Sequence, residues 1–216
     1  MNAEPGHRPM RRSLQALSAT ILAAAAAVGI ALADDDDRRM TLHSATFENG
    51  GRLPLSMIPT MSPFGQACTA NSAIGGDESP QLTWRHAPEE TRSFVVIAYD
   101  VVAQFTHWAM YNIPAGTTSL PQNAGTAGSG FGVQNGNDFG TPSYEGPCPP
   151  TAFQPVVHKY VFTVYALDKL LPIVPTFGDF VPAGPEGLYH ELIDASREGH
   201  VLASASIAGF YSATGQ

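Results

Sequence analysis

Positive charge is scarce in this chain. Of its 216 residues only 11 are Lys or Arg, against 19 Asp or Glu, for a formal net charge of −8. There is no basic cluster, and phosphate neutralisation dominates nucleic-acid affinity, so nucleic acid is not the expected partner. Nucleophile and metal motifs are lacking too. No Gly-x-Ser-x-Gly element, no His-Glu-x-x-His and no Cys-His pairing with a nucleophile can be found, which argues against a hydrolase. The Gly-rich stretch 125–140, GTAGSGFGVQNGNDFG, has no Gly-Lys-Ser/Thr ending. It is expected to be a flexible loop, not a phosphate cradle. Nothing points to a cofactor. Internal repeats are absent, and past residue 33 no apolar run is long enough to span a membrane.

What is present begins with a leader. Arg8, Arg11 and Arg12 precede the apolar run LQALSATILAAAAAVGIALA (14–33), Ala31-Leu32-Ala33 fits a small-x-small cleavage site, and DDDD follows at 34–37. That is the layout of a secretory signal peptide covering 1–33. An uncleaved membrane anchor is the competing reading, and the alanine-rich run favours cleavage after Ala33. Export to the periplasm or beyond the cell is therefore expected. The leader holds three of the 11 basic residues and one of the 19 acidic ones, so its removal leaves 8 against 18, a net of −10. Residues 34–42 read as an acidic, disordered terminus and 43–216 as a single domain. Both cysteines, Cys68 and Cys148, fall in that domain. In an exported protein they either pair or stand as two separate buried thiols.

Five runs read as strands: TLHSATF (41–47), SFVVIAYD (93–100), HWAMYNI (107–113), HKYVFTVYALD (158–168) and VLASASIAGFY (201–211). Turn-rich segments separate them, which predicts a mostly β, antiparallel domain. One helix is predicted near 186–198, with Leu188, Leu192 and Ile193 on its apolar face, Pro185 before it and Gly199 after it.

Side chains alternate faces along a strand. His158 and Tyr160 then share a face with Phe162, Val164 and Ala166, while Asp100 shares one with Phe94, Val96 and Ala98. By the same rule His107 shares one with Ala109, Tyr111 and Ile113. Three apolar faces that each end in His or Asp would converge on a small-ligand pocket. The plainer alternative is that each of these residues only satisfies backbone groups at a strand end. Likewise Trp84 and Trp108 read as core aromatics, and the Tyr160 hydroxyl could serve as an anchor for the fold.

The segment NDFGTPSYEGPCPP (137–150) followed by HKYVFTVYALD resembles the signature of the phosphatidylethanolamine-binding proteins, also called Raf-kinase-inhibitor-like proteins, and most of all their bacterial branch. DESPQLTW (77–84), the 93–114 strand pair and GHVLASASIAGFY (199–211) resemble further family segments in the same order. The likeness covers roughly 43–211. It implies an antiparallel Greek-key β-sandwich with a small anion pocket at one edge, which in family members accepts phosphate-like anions including phospholipid head groups. Asp100, His107, Gly146, Pro149, Pro150, His158 and Tyr160 match the family's pocket positions. Val102 stands where the family has a second Asp, Lys159 where Arg is common, and the connection from Asp100 to His107 is short.

Together these readings predict non-enzymatic binding of a small phosphorylated ligand or head group. Stiff prolines preform the wall. Gly146 lets backbone approach the ligand. His107, His158 and Tyr160 donate, and Asp100 accepts from an imidazole to fix its tautomer and favour its charged form. The alternative is a protein partner, a protease or kinase inhibited by occlusion.

Overall fold

The longest strands carry apolar side chains on both faces, and a sheet of that kind needs cover on both sides. The computed structural model describes residues 39–172 and 184–214. The signal peptide and most of the acidic segment lie outside the described residues. In chain order the strands are β1 (Thr41–His43), β2 (Gly51–Arg52), β3 (Leu82–Arg85), β4 (Ser93–Asp100), β5 (Phe105–Pro114), β6 (Ser119–Leu120), β7 (Val133–Asn135), β8 (His158–Leu167) and β9 (Val201–Tyr211), with helix α1 (Glu186–Arg197) between the last two. Six strands form one sheet in the order β2-β9-β8-β4-β5-β7, and β1-β3-β6 form a second. All pairings are antiparallel except the short β2–β9 contact.

Alternation sorts the side chains of the large sheet between two cores. Phe94, Val96, Ala98, Trp108, Phe162 and Val164 pack with Leu42, Leu82, Trp84 and Leu120 of the small sheet. Trp84 meets Phe94 edge-on across this sandwich, with ring centroids 5.2 Å apart. Val95, Ile97, Ala109 and Tyr111 face the other way, onto Leu188, Leu192 and Ala195 of α1. The layers are therefore small sheet, large sheet, helix. Among the described residues no helix is long and apolar enough to cross a membrane.

Strands β4, β8 and β9 run as the alternation predicts, and three other expectations need correction. First, β1 stops at His43 instead of continuing to 47. The Ser44 hydroxyl bonds the Gln81 carbonyl, Ala45 N–H bonds the Gln81 side chain, and Gln81 N–H bonds the Thr46 hydroxyl. These bonds replace the ladder, as Ser and Thr often do. The ordered domain also starts before 43, since Met40 is buried and Thr41 pairs with Arg85. Second, Ile193 is 46% exposed, and Ala195 takes its place on the buried face of α1. The i, i+4, i+7 spacing of 188, 192 and 195 keeps the stripe straight, whereas 193 lies 100° round from 192. The helix ends at Gly199, whose φ of 82° turns the chain so that His200 N–H reaches the Ala195 carbonyl. Third, the Gly-rich stretch is not loop throughout, because β7 pairs with β5 at its centre. Gln134, buried there, bonds Trp108 Nε1–H and the Ala124 carbonyl.

Cys68 and Cys148 are bonded, with Cα atoms 4.7 Å apart and a sequence separation of 80. A closed loop of that size restricts the unfolded chain by about 4 kcal/mol in the chain-entropy model. Urea unfolding with and without reductant should show a loss of about 2–4 kcal/mol on reduction. An unchanged midpoint would mean that the crosslink carries no stability.

Candidate functional site

Asp100 ends β4 and His158 begins β8, and the antiparallel register sets them side by side: Asp100 pairs with Tyr160, two residues along from His158. Asp100 Oδ2 lies 2.6 Å from His158 Nδ1. Its other oxygen accepts the N–H groups of Val102 and Ala103, at 2.8 and 2.9 Å. One carboxylate thus closes the β4–β5 turn and orients the imidazole. Val102 is half exposed at the tip of this turn, where its N–H is used but its side chain does not reach the cavity.

His107 arrives by a different route from the one alternation predicts. In β5, Thr106 pairs with Tyr99 and Trp108 with Ala98, so two positions on β5 oppose a single step on β4 and His107 is the extra residue of a β-bulge. Thr106 faces the helix, where its hydroxyl meets that of Tyr189 at 2.8 Å. Both His107 and Trp108 face the sandwich. Ala109 and Tyr111, expected on the face of His107, belong to the helix side, and a second irregularity returns Ile113 to the sandwich core. Without the bulge His107 would point away from the pocket.

Asp100, His107, His158 and Tyr160, all at least 94% buried, meet at a cavity of about 220 Å³. Pro149 and Pro150 form one wall. Phe64, Phe105 and Phe139 form another, with Phe105 and Phe139 edge-on at 4.5 Å. Ser62, Gln66, Ala103 and Cys148 complete the lining. The 62–66 segment went unrecognised in the sequence. Its signal was Cys68, because the disulfide brings these residues against Cys148 and Pro149, where Gln66 Nε2 donates to the Pro149 carbonyl at 3.2 Å.

Gly146 does not line this cavity. It borders a neighbouring depression with Asp77 and Glu145. A side chain on Gly146 would strike the Met57 carbonyl oxygen, 2.0 Å from where its Cβ would sit, and its N–H is held by Asp77 Oδ1 at 2.7 Å. Its lack of a side chain serves packing and not ligand approach. Burial raises the Asp77 carboxyl pKa, with the Gly146 N–H acting the other way, and burial also raises that of Glu145.

The His107 Nδ1 donates to the Glu145 carbonyl at 2.7 Å. Burial is the main cause that lowers the His107 pKa below its usual 6.5. Tyr160 is more unusual. The buried hydroxyls of Tyr144 and Tyr211 bond the carbonyls of Met57 and Cys68. That of Tyr160 meets no acceptor at full hydrogen-bonding geometry, although the Asp100 carboxylate lies close enough to attract it. Burial, then the nearby Asp100 charge, push its ionisation far up. Among the described residues Trp84 Nε1 and Asn135 Oδ1 are unmatched as well, and of the three residues Tyr160 is the one that lines the cavity. Among the described residues no group of three or more His, Cys, Asp or Glu side chains is placed to hold a metal.

The family model for phosphatidylethanolamine-binding protein matches residues 43–212. The chain belongs to that family. It is 34% identical over 177 residues to a UPF0098 protein of Methanothermobacter thermautotrophicus, covering 80% of this chain and 98% of that one. With Escherichia coli YbcL it shares 45% identity over 101 residues, 43% of this chain and 54% of YbcL. The crystal structure of YbcL, a member of the mammalian PEBP family, superposes with a TM-score of 0.63 over 81% of this chain and 98% of YbcL, at 30% identity.

Removing the Tyr160 hydroxyl should separate stability from ligand binding. Tyr160→Phe is expected to raise the unfolding free energy of the ligand-free protein by about 1 kcal/mol, because an unsatisfied group leaves the interior. A loss of stability in urea titration would mean that the hydroxyl is bonded in the folded protein.

Proposed function

We propose that this family member binds a small phosphate-like anion or a phospholipid head group in the Asp100–His107–His158–Tyr160 cavity, without turning it over. The observation that carries the reading is the meeting of Asp100, two imidazoles and the Tyr160 ring at one cavity backed by a proline wall. Each imidazole has its Nδ1 committed to the protein, which leaves Nε2 for a ligand. The proline wall and the Asp100 anchor limit the ordering cost of binding. Phe64, 84% exposed and 6.0 Å from Phe139, gives the rim an apolar edge suited to the carbon chain of an esterified ligand.

Binding without catalysis is supported by the state of Cys148. The one sulfur at the cavity is tied in a disulfide and offers no thiolate. The same bond supports export, since disulfides persist in oxidising compartments.

Calorimetric titration with phosphate and phosphorylethanolamine at pH 6, beside His107→Ala and His158→Ala variants, tests the proposal. One-to-one saturable binding, weakened at least tenfold in each variant, is expected. No heat at millimolar ligand from folded protein would reject the site.

A further inference from the structure

The two imidazoles facing the cavity are not equivalent. His107 Nδ1 lies against a backbone carbonyl, which can only accept, so the hydrogen is fixed on Nδ1 and the neutral ring holds a lone pair on Nε2. His158 Nδ1 lies against a carboxylate, so a second proton on His158 Nε2 leaves the Asp100–His158 pair neutral overall. Among the described residues no Lys or Arg lines the cavity. One side therefore offers a hydrogen-bond acceptor and the other a charge-balanced donor, with the Tyr160 ring lining the cavity beside both. Tyr160 stands 5.3 Å from His107 and 6.4 Å from His158, centroid to centroid.

Neutral His107 is also what its surroundings favour. Burial lowers its pKa most; the Glu145 carbonyl, Asp100 and Asp138 act against burial, and His158 acts with it. Asp138 follows β7 and accepts Thr106 N–H at 2.6 Å, Asp100 ends β4, and His158 and Tyr160 stand on β8. These are the charged and titratable groups around the ring.

A fully ionised phosphate would present only lone pairs to the His107 lone pair. A phosphodiester has no hydrogen to offer either. A phosphomonoester carrying one proton has both kinds of group: a P–OH to donate and P–O⁻ oxygens to accept. We propose that the cavity selects the monoprotonated phosphomonoester, with His107 Nε2 accepting from P–OH while His158 Nε2–H donates to the ionised oxygens. His107 is then the specificity-determining residue. This inference rests on the anion-binding reading above and narrows it.

The test is titration of the purified protein with matched ester pairs: methyl phosphate against dimethyl phosphate in solution, and phosphatidic acid against phosphatidylethanolamine in phosphatidylcholine vesicles. The first pair reports a soluble source of the chemistry and the second a lipid source. In either pair the monoester should bind at least tenfold tighter at pH 6. That preference should shrink as pH rises, because the second ionisation of a phosphomonoester lies at about pH 6 and removes the P–OH above it. His107→Gln, whose amide can turn either a donor or an acceptor to the ligand, should bring monoester and diester to within threefold. Nitrogen-15 spectra of the wild-type imidazole should show His107 with its hydrogen on Nδ1. Equal binding of monoester and diester overturns the proposal and leaves the anion site standing. So does a loss at high pH that the diester shares, which would belong to the protein and not to the ligand's proton. No binding of any of the four ligands overturns both readings.

Discussion

Asp100 ties together the ends of three neighbouring strands at the mouth of the cavity. Its two oxygens do separate work: one closes the turn that sends β4 into β5, and the other holds the first side chain of β8. Because the residue is buried and both oxygens are matched, its charge is compensated by donors fixed in the backbone and by one imidazole. The tight turn has a further consequence. The chain re-enters the sheet at Phe105 with little slack, and the bulge at His107 takes up the mismatch in register. The pocket histidine is thus delivered by the same hairpin that Asp100 closes.

A second constraint acts from outside the sheet. The Cys68–Cys148 bond joins the 62–66 segment to the proline wall, so one side of the cavity is built from stretches 80 residues apart. Proline rigidity and a covalent crosslink both act by restricting the chain before a ligand arrives. Against this matched and stiffened frame the bare Tyr160 hydroxyl stands out, since the other two deeply buried tyrosine hydroxyls near the site each find a carbonyl.

The sandwich was legible because β4 and β8 obey a period of two throughout and β9 does so from Ala203 onward, and Asp100, His158 and Tyr160 followed from it. His107 reached the site although the alternation argument assigned it the wrong neighbours. A bulge leaves no mark in hydrophobic periodicity, and only the register shows it. Gly146 was matched to the pocket through the family's pattern, yet the local reason for a glycine is the Met57 carbonyl beneath it. The early end of β1 could not be read either, because it depends on Gln81, more than thirty residues away. Ser62, Phe64 and Gln66 became part of the site only once the cysteines were joined, a choice that spacing alone left open.

The central claim is that the two uncommitted ring nitrogens of the cavity, His107 Nε2 and His158 Nε2, converge on one ligand. A crystal structure of the protein grown with inorganic phosphate at mildly acid pH tests this most directly. The account predicts one phosphate in the cavity, within hydrogen-bond distance of both nitrogens. A cavity holding only water, with phosphate bound elsewhere or not at all, would contradict it.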